Sequence, residues 1–383
     1  MRPWRVKRPW GVATALILVA LMGSVWAGPE TEKDILEELK LFSKALGVVA
    51  NAYVGDVQPR DLLYKAVRGM LSNLDPYTEF IDKDRYELLT ISMKGEYAGI
   101  GVKLQVIEDY PSIAEIQPGS AAEKAGLQLQ DKIIKIDGVP MQGKAVTEVA
   151  KLLRGEAETP LLLSLMRAQA MLEVKIVRQK IEIESVKDVR MIGRALGYLR
   201  IIDFQEKTPD QAGKAIRDLR KRGMEALIID LRFNDGGLLQ KAVELAEMFL
   251  PEGKKIISVS SKIIEQRKEH VSKNRKPEPD YPIVILVNQI SASASEIFTA
   301  AMQDNGRARI IGTKTFGKAS VQSVVPLDDF SAMKLTTARY ISPKGRVIDH
   351  VGVEPDEVVT NLESGQDADR QTLRALEIFK QYR

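Results

Sequence analysis

One serine and one lysine are the residues of this chain whose types and spacing could perform chemistry. Ser293 lies in Asn288-Gln-Ile-Ser-Ala-Ser-Ala-Ser-Glu296, and Lys318 follows 25 positions later (318 − 293) in Lys314-Thr-Phe-Gly-Lys-Ala-Ser-Val-Gln322. The chain has no cysteine and two histidines. A nucleophilic serine here would therefore take an amine as its base, and the pattern predicts a hydrolase of the serine–lysine type.

The lysine needs a particular environment to act as a base. A lysine ammonium ordinarily has a pKa of about 10.4, and burial among apolar groups lowers it toward neutrality. Small and apolar residues surround Lys318, although an exposed lysine after a glycine turn is the alternative. Gln322 lies four residues on, which places both side chains on one face of a strand or helix. Its amide could accept a hydrogen bond from the amine and orient it.

Ser293 is predicted to open a helix. It follows the apolar strand pattern Pro282-Ile-Val-Ile-Leu-Val287 and precedes a helical run beginning at Glu296. Unpaired N–H groups and the helix dipole at such a position favour a developing anion. Ser293-Ala-Ser-Glu296 also fits a capping box, in which the serine only caps the helix. A second turn of this kind, Leu231-Arg-Phe-Asn-Asp-Gly-Gly237, could bring glycine N–H groups close to a ligand.

The hydrophobic patterns divide the chain into three regions with different predicted secondary structure. Helical periodicity runs from Thr31 to Leu89 and is interrupted at Pro76, short β-like runs with glycine turns occupy about 95–179, and strands alternate with helices from Ile181 onward. The fold class is therefore mixed α/β (α+β) and multidomain. The polar segment Ser260–Asp280 is partly irregular and is predicted to be a mobile loop near a substrate path.

These segments resemble the carboxy-terminal processing proteases, also called tail-specific proteases. The resemblance rests on the serine and lysine segments, on the Leu231–Gly237 loop, and on Thr336-Thr-Ala-Arg-Tyr-Ile-Ser-Pro-Lys-Gly-Arg346 and Gly352-Val-Glu-Pro-Asp356. It covers most of the chain from Leu74 to Asp356. The chain departs from the family pattern at Tyr77, Thr78, Gln289, Ile290 and Ala319.

The resemblance implies a role for each matching residue. Ser293 would be the nucleophile, Lys318 the general base and Gln322 its orienting partner. The oxyanion hole would be formed by the N–H of Gly236 or Gly237 together with that of Ala294. The fold implied for this part is a crotonase-like or ClpP-like α/β core.

The β-rich segment resembles a PDZ domain. The residues that carry this resemblance are Gly99-Ile-Gly-Val102, Pro118-Gly-Ser-Ala-Ala-Glu-Lys-Ala-Gly-Leu127, Asp131-Lys-Ile-Ile-Lys-Ile-Asp-Gly138 and Leu152-Leu-Arg-Gly155. A PDZ domain adds a peptide tail as a strand. The tail carboxylate would meet the N–H groups of Gly99, Ile100, Gly101 and Val102, while Tyr97, Ile100 and Val102 would form the apolar surface for the last side chain. Arg154 would couple this domain to the protease core, or would be only a helix-end cation.

Five segments are expected. Residues 1–27 form a signal peptide, 28–94 a helical N-terminal region, 95–179 the inserted PDZ domain, 180–360 the Ser/Lys protease core, and 361–383 a C-terminal helix. The signal is inferred from basic residues before an apolar run from Val12 to Met22 and from Val25-Trp-Ala27. We therefore expect export to the periplasm or another extracytoplasmic place, with an uncleaved membrane anchor as the alternative.

Composition limits the partners. The net charge of +4 is spread among 56 basic and 52 acidic residues, so nucleic-acid binding is not expected. We expect no metal and no cofactor. The expected partners are proteins or peptides with accessible C-terminal tails, an adaptor protein, and further copies of the chain in a homo-oligomer.

Four alternative functions compete with this reading. A histidine-based protease would have to use His270 or His350, and a coenzyme A hydratase of related fold would be exported away from its cofactor. Gly312-Thr-Lys-Thr-Phe-Gly-Lys318 has phosphate-loop spacing, but Ala319 replaces the hydroxyl that binds magnesium. A non-catalytic PDZ adaptor or chaperone that holds peptide tails is the alternative from another class.

Overall fold

The computed structural model describes residues 29–327, 331–360 and 369–380. The signal segment expected at 1–27 lies outside these residues, and so do the first eight and last three residues of the expected C-terminal segment. None of the described helices is long and apolar enough to cross a membrane. The described chain divides into two units, one containing the residues up to Tyr86 with Gln322–Thr336, the other containing Glu87–Val321 and the residues from Thr337.

The helices and strands agree with the three predicted regions: helical, β-rich, and alternating strands and helices. The helices are α1 Pro29–Ala52, α2 Pro59–Ser72, α3 Lys83–Lys94, α4 Ala121–Lys124, α5 Val146–Leu153, α6 Thr208–Lys221, α7 Leu239–Phe249, α8 Ala294–Asp304 and α9 Arg370–Lys380, with a 3₁₀ turn at Ile264–Gln266. The strands are β1 Glu79–Ile81, β2 Glu96–Gly99, β3 Val102–Ile107, β4 Tyr110–Ile116, β5 Lys132–Ile136, β6 Val139–Pro140, β7 Pro160–Arg167, β8 Ala170–Val177, β9 Gln179–Glu182, β10 Val186–Ile192, β11 Leu196–Ile201, β12 Ala226–Asp230, β13 Lys255–Ser261, β14 Lys268–Val271, β15 Ile283–Val287, β16 Arg309–Gly312, β17 Ser320–Pro326, β18 Ala332–Ile341 and β19 Glu357–Val358.

The first unit contains α1, α2 and β1. After α2 the chain turns at Asp75, whose Oδ1 accepts the backbone N–H groups of Tyr77 and Thr78 at 2.8 and 3.0 Å. This Asx-type turn explains why the helical pattern stops before Pro76, as predicted. Within the same unit, β1 pairs antiparallel with the first residues of β18, from Ala332 to Lys334.

A mainly parallel sheet forms the centre of the second unit. Its strand order is β10-β11-β12-β15-β16-β19, and only β10 runs antiparallel. The strands β12 and β15 are buried along their whole length because helices cover both faces. Alternate residues separate onto these faces. One face packs on α6, α7 and α8, and the other packs on Ala375, Ile378 and Phe379 of α9.

The PDZ-like segment is a separate antiparallel sheet of order β3-β4-β5-β7-β8, with β6 beside β5. Its core includes Ile113, Leu163 and Leu165, and α5 closes it through Val149 and Leu153. The strands β2 and β9 pair with each other at the two ends of this segment. In the loop before β7, Glu158 has a φ of 64°, a left-handed conformation that glycine adopts more readily.

The segment Ser260–Asp280, predicted to be partly irregular, contains a strand that the sequence did not predict. The structure places β14 at Lys268–Val271, paired antiparallel with β13, and a 3₁₀ turn before it. The strand was missed because Lys-Glu-His-Val carries charged residues, which are frequent on edge strands and hide the alternating pattern. β10 was overlooked for a similar reason, since most of its side chains are exposed.

Candidate active site

Ser293 occupies the junction between β15 and α8 in a strained backbone conformation. Its φ and ψ are 54° and −114°, outside the regions that residues with a side chain normally adopt. The next residue, Ala294, begins α8, so Ser293 is the N-cap residue as predicted. Strain of this kind persists only where surrounding contacts enforce it, and it is concentrated at functional sites.

Glu296 binds the backbone of Ser293 and of the lysine loop. Its carboxylate is fully buried, and Oε2 accepts the backbone N–H groups of Ser293 and Lys318, each at 2.9 Å. Two bonds to one oxygen place these backbone nitrogens no more than 5.8 Å apart. The other oxygen, Oε1, accepts the Gly317 N–H at 2.7 Å and the Thr315 hydroxyl at 2.5 Å. The sequence suggested only that Glu296 reaches back to cap its own helix. The structure shows that it also holds the lysine loop.

Burial affects the charge of this carboxyl group. Loss of water raises the pKa of Glu296 above its usual value, although the hydrogen bonds from Thr315, Gly317, Lys318 and Ser293 act in the opposite direction. The carboxylate is satisfied by four donors, which is the condition under which a buried charge is tolerated.

Tyr340 supports the same two backbone segments through their carbonyl groups. Its buried hydroxyl donates to the carbonyl oxygens of Ser293, at 3.0 Å, and of Lys318. Burial raises the pKa of this phenol far above its usual value, and the nearby carboxylates of Glu296 and Asp349 add to the effect. Tyr340 therefore stays neutral and remains a hydrogen-bond donor.

The loop that carries Lys318 connects β16 to β17. Its start is pressed against the strand of the nucleophile, because a Cβ on Gly312 would lie 1.9 Å from the carbonyl oxygen of Val287. The Phe316 N–H donates to the carbonyl of Ser291 at 3.0 Å. The segment after Lys318 is a strand, whereas a phosphate loop requires a helix there to present its N–H groups. The nucleotide alternative is therefore wrong.

The glycine loop after β12 lies against the nucleophile. A Cβ on Gly236 would be 2.8 Å from the Cβ of Ser293 and 3.1 Å from the Ala294 nitrogen, so only glycine allows this approach. The Gly236 N–H already donates to Asn234 Oδ1 at 2.9 Å. In the described chain no hydrogen bond is found from the N–H groups of Gly237 and Ala294. Of the three predicted oxyanion donors, these two are thus available to a ligand.

A short segment from Asp203 to Glu206, in which Phe204 and Gln205 are buried, supports the glycine loop. The Phe204 N–H donates to the Gly236 carbonyl at 2.8 Å, and the Phe204 carbonyl accepts the Leu238 N–H at 2.7 Å. The same segment meets the end of α3, where the Glu206 N–H donates to the Met93 carbonyl at 2.9 Å. Burial raises the pKa of Asp203, and hydrogen bonds only partly compensate. Nothing in the sequence signalled this segment.

Gln322 belongs to the first unit, where it lies on β17. Its Nε2 donates to Thr336 Oγ1 at 3.3 Å, and Thr336 Oγ1 in turn donates to Asp75 Oδ1 at 3.2 Å. Burial acts to raise the pKa of Asp75, but hydrogen bonds from Thr78, Tyr77 and Thr336 lower it overall. The Leu74–Ile81 segment therefore supports the residue that holds Gln322. The orienting role of Gln322 toward Lys318 stays a prediction.

The predicted tail-binding residues line one cavity of about 400 Å³ in the PDZ-like segment. Tyr97, Gly99, Ile100, Gly101 and Val102 all contribute to its wall. Val146 and Ala150 of α5 and Ile91 of α3 also line it. The cavity is mostly apolar, as a site for an apolar side chain requires.

Arg154 also lines this cavity. Its guanidinium lies 5.4 Å from the ring centre of Tyr97, within range of a cation–π contact. The last carbonyls of α5, those of Leu152 and Leu153, accept hydrogen bonds from Arg178 at 2.9 and 3.2 Å. The helix end is therefore neutralised by another residue, and this weakens the interpretation of Arg154 as only a helix-end cation.

Neither histidine is arranged as a catalytic base for Ser293. His270 lies on β14, where burial lowers its pKa. The His350 side chain is 82% exposed, and its closest acidic partner is Asp349 at 3.8 Å. No cluster of three or more metal-ligating side chains occurs among the residues that the structure describes.

The class of protein follows from comparison with known families. Residues 195–359 match the model of peptidase family S41, residues 112–167 match a PDZ domain, and residues 23–85 match the N-terminal domain of the activating protease CtpB. The chain thus combines a peptidase core with a PDZ domain.

Individual relatives identify the family more closely. The chain is 35% identical over 355 residues to the carboxy-terminal-processing protease of Bartonella bacilliformis, covering 91% of this chain and 81% of that protein. It is 33% identical over 379 residues to the carboxyl-terminal-processing protease of a Synechocystis species, covering 93% and 88%. The chain therefore belongs to the carboxy-terminal-processing protease family. A solved photosystem II D1 C-terminal processing protease is 31% identical, covering 84% of this chain and 93% of that one, with a TM-score of 0.48.

Proposed function

We propose that this protein is an exported serine endopeptidase that binds the C-terminal tail of a protein substrate and cleaves peptide bonds through an acyl-enzyme. The observation that carries the proposal is the convergence of the Ser293, Gly317 and Lys318 N–H groups on the buried Glu296. This arrangement holds a strained serine beside the backbone of a lysine, as a serine–lysine mechanism requires.

The proposed reaction begins when the Ser293 hydroxyl attacks the carbonyl carbon of the scissile bond. The neutral amine of Lys318 accepts the hydroxyl proton. The resulting oxyanion accepts hydrogen bonds from the N–H groups of Ala294 and Gly237. When the C–N bond breaks, the ammonium of Lys318 returns its proton to the leaving amine. Water then attacks the ester in a second round of the same proton transfers and releases the acid.

Substrate selection is proposed to start in the PDZ cavity. The tail would add as a strand beside β3, with its carboxylate at the N–H groups of the Gly99–Val102 loop. Amidating the carboxylate removes the charge that these donors accept. A free-tailed peptide should be cleaved about ten to a hundred times faster than its amidated form at low concentration. Equal rates for the two peptides would place selection in the protease groove instead.

Two further parts of the proposal concern the export of the protein and its oligomeric state. We propose that residues 1–27 export the chain, and N-terminal sequencing of the mature protein checks for cleavage after Ala27. An intact N-terminus in the membrane fraction would indicate the anchor instead.

We also propose a homo-oligomer, supported by apolar side chains of α1 that are about half exposed, such as Leu36 at 55% and Leu39 at 53%. A monomeric mass in light scattering would contradict it.

The decisive experiment compares Ser293→Ala and Lys318→Ala with wild type on an unstructured protein that ends in an apolar tail. Lys314→Ala is the matched control, because Lys314 lies in the same loop but is half exposed and pairs with Glu354 at 2.8 Å. Both catalytic variants should lose nearly all turnover while the control retains it. Tail binding without cleavage by the wild type would support the adaptor alternative.

A further inference from the structure

Three large apolar side chains are exposed on the loops that meet at the nucleophile. Phe233 is 60% exposed, Phe316 is 55% exposed and Ile290 is 41% exposed. Each belongs to a different catalytic loop: Phe233 to the glycine loop, Ile290 to the turn before Ser293, and Phe316 to the loop of Lys318. We call these three residues the apolar rim.

Backbone hydrogen bonds hold the rim together. The N–H groups of Phe233 and Ile290 both donate to Oδ1 of Asn288, at 3.0 and 3.2 Å, so the two nitrogens lie no more than 6.2 Å apart. The Phe316 N–H donates to the carbonyl of Ser291, the residue after Ile290. All three rim residues are therefore anchored on the turn from Asn288 to Ser291, which ends two residues before Ser293.

Phe233 has an unfavourable backbone conformation as well as an exposed ring. Its φ is 63°, and a bulky residue in the left-handed region is a true outlier. Asparagine or glycine would occupy this position with less strain. A strained and exposed phenylalanine favours neither folding stability nor solubility, and strain of this kind is concentrated at functional sites.

We propose that the apolar rim is a substrate subsite that binds an apolar side chain of the polypeptide next to the bond being cleaved. The inference rests on the proposed peptidase function. The occupant follows from the fact that the rim residues lie on the catalytic loops. The peptide bond attacked by Ser293 must lie beside Gly236, so the substrate chain on either side of that bond passes over these loops. Single exposed apolar residues are common on protein surfaces, whereas the backbones of these three are anchored on one turn beside the nucleophile. The subsite selects for leucine, methionine or phenylalanine against acidic residues.

Phe233→Asn tests the subsite without endangering the fold. Asparagine tolerates the left-handed conformation, so the variant should unfold at the same temperature as wild type or higher. Two peptides with the same free apolar tail are compared, one with leucine and one with glutamate flanking the cleaved bond. The wild type should prefer the leucine peptide, and Phe233→Asn should reduce that preference in kcat/KM about tenfold. Val358→Ala, which changes a 68% exposed valine on β19, is the control and should keep the preference.

Binding separates this inference from the proposed function. In the inactive Ser293→Ala background, the leucine peptide should bind more tightly than the glutamate peptide, and Phe233→Asn should remove the difference. If the wild type does not cleave either peptide, the peptidase proposal fails but this comparison still tests the rim. Unchanged preference in Phe233→Asn and Ile290→Ala, in cleavage or in binding, would overturn the subsite.

Discussion

Removing hydrogen-bond acceptors from Glu296 should disable the site in steps. In Glu296→Gln, the amide oxygen can still accept the Ser293 and Lys318 N–H groups, and the amide nitrogen then faces Thr315 and the Gly317 N–H. One buried donor loses its acceptor, at a cost of about 1–3 kcal/mol. In Glu296→Ala, the three N–H groups lose their acceptor, so the additive upper limit is about 3–9 kcal/mol.

These energies predict the activities. Each 1.4 kcal/mol lost from the catalytic arrangement is a factor of ten in turnover, so we expect turnover to fall about five- to a hundredfold in Glu296→Gln and by about a hundredfold in Glu296→Ala. Initial rates on a free-tailed peptide measure turnover, and chemical denaturation measures the free energy of unfolding. The control is Glu354→Gln, whose side chain is 60% exposed and forms a surface ion pair worth at most about 1 kcal/mol. Turnover of Glu296→Ala within about tenfold of wild type would refute this account of Glu296.

Three further predictions concern the neighbouring supports. Gly236→Ala should abolish turnover because its Cβ would lie 2.8 Å from the Cβ of Ser293. The control Gly253→Ala has a φ of 87° and open space around it, so it should lose only the stability that the left-handed conformation costs an alanine. Equal activities of the two variants would disprove the close approach. Tyr340→Phe leaves two backbone carbonyls without their shared donor and should lower the free energy of unfolding by about 1–3 kcal/mol, which a denaturation midpoint measures; an unchanged midpoint would show that water replaces the hydroxyl. Arg154→Ala should lower proteolysis of tailed substrates without changing the melting temperature, and unchanged cleavage at low substrate concentration would limit Arg154 to packing on Tyr97.

The elements beside the nucleophile were predictable because their patterns are local. The five apolar residues from Ile283 to Val287 predict a buried strand, and the structure has β15 at those residues. The predicted helix from Ser293 to Asn305 is observed as Ala294–Asp304 with these two residues as caps. Strand β5, predicted at Lys132–Ile136, also has those bounds.

The supports of the site were not predictable because they depend on long-range contacts. Glu296 fits a local capping box, and nothing near it in sequence indicates that it binds the N–H groups of Gly317 and Lys318, about twenty residues away. The support of the glycine loop is also long-range, because the Gly236 carbonyl accepts the N–H of Phe204, about thirty residues earlier in the chain. The left-handed φ of Phe233 is not encoded by residue type, since phenylalanine disfavours it.

The central claim is that Ser293 and Lys318 act as one catalytic unit. The most direct measurement is turnover of the double variant Ser293→Ala/Lys318→Ala beside each single variant, on one free-tailed peptide at one pH. Residues that act as a unit give non-additive losses, so the double variant should be no slower than the slower single variant. A double variant whose loss is the product of the two single losses would show that the residues act independently, and would contradict the serine–lysine mechanism.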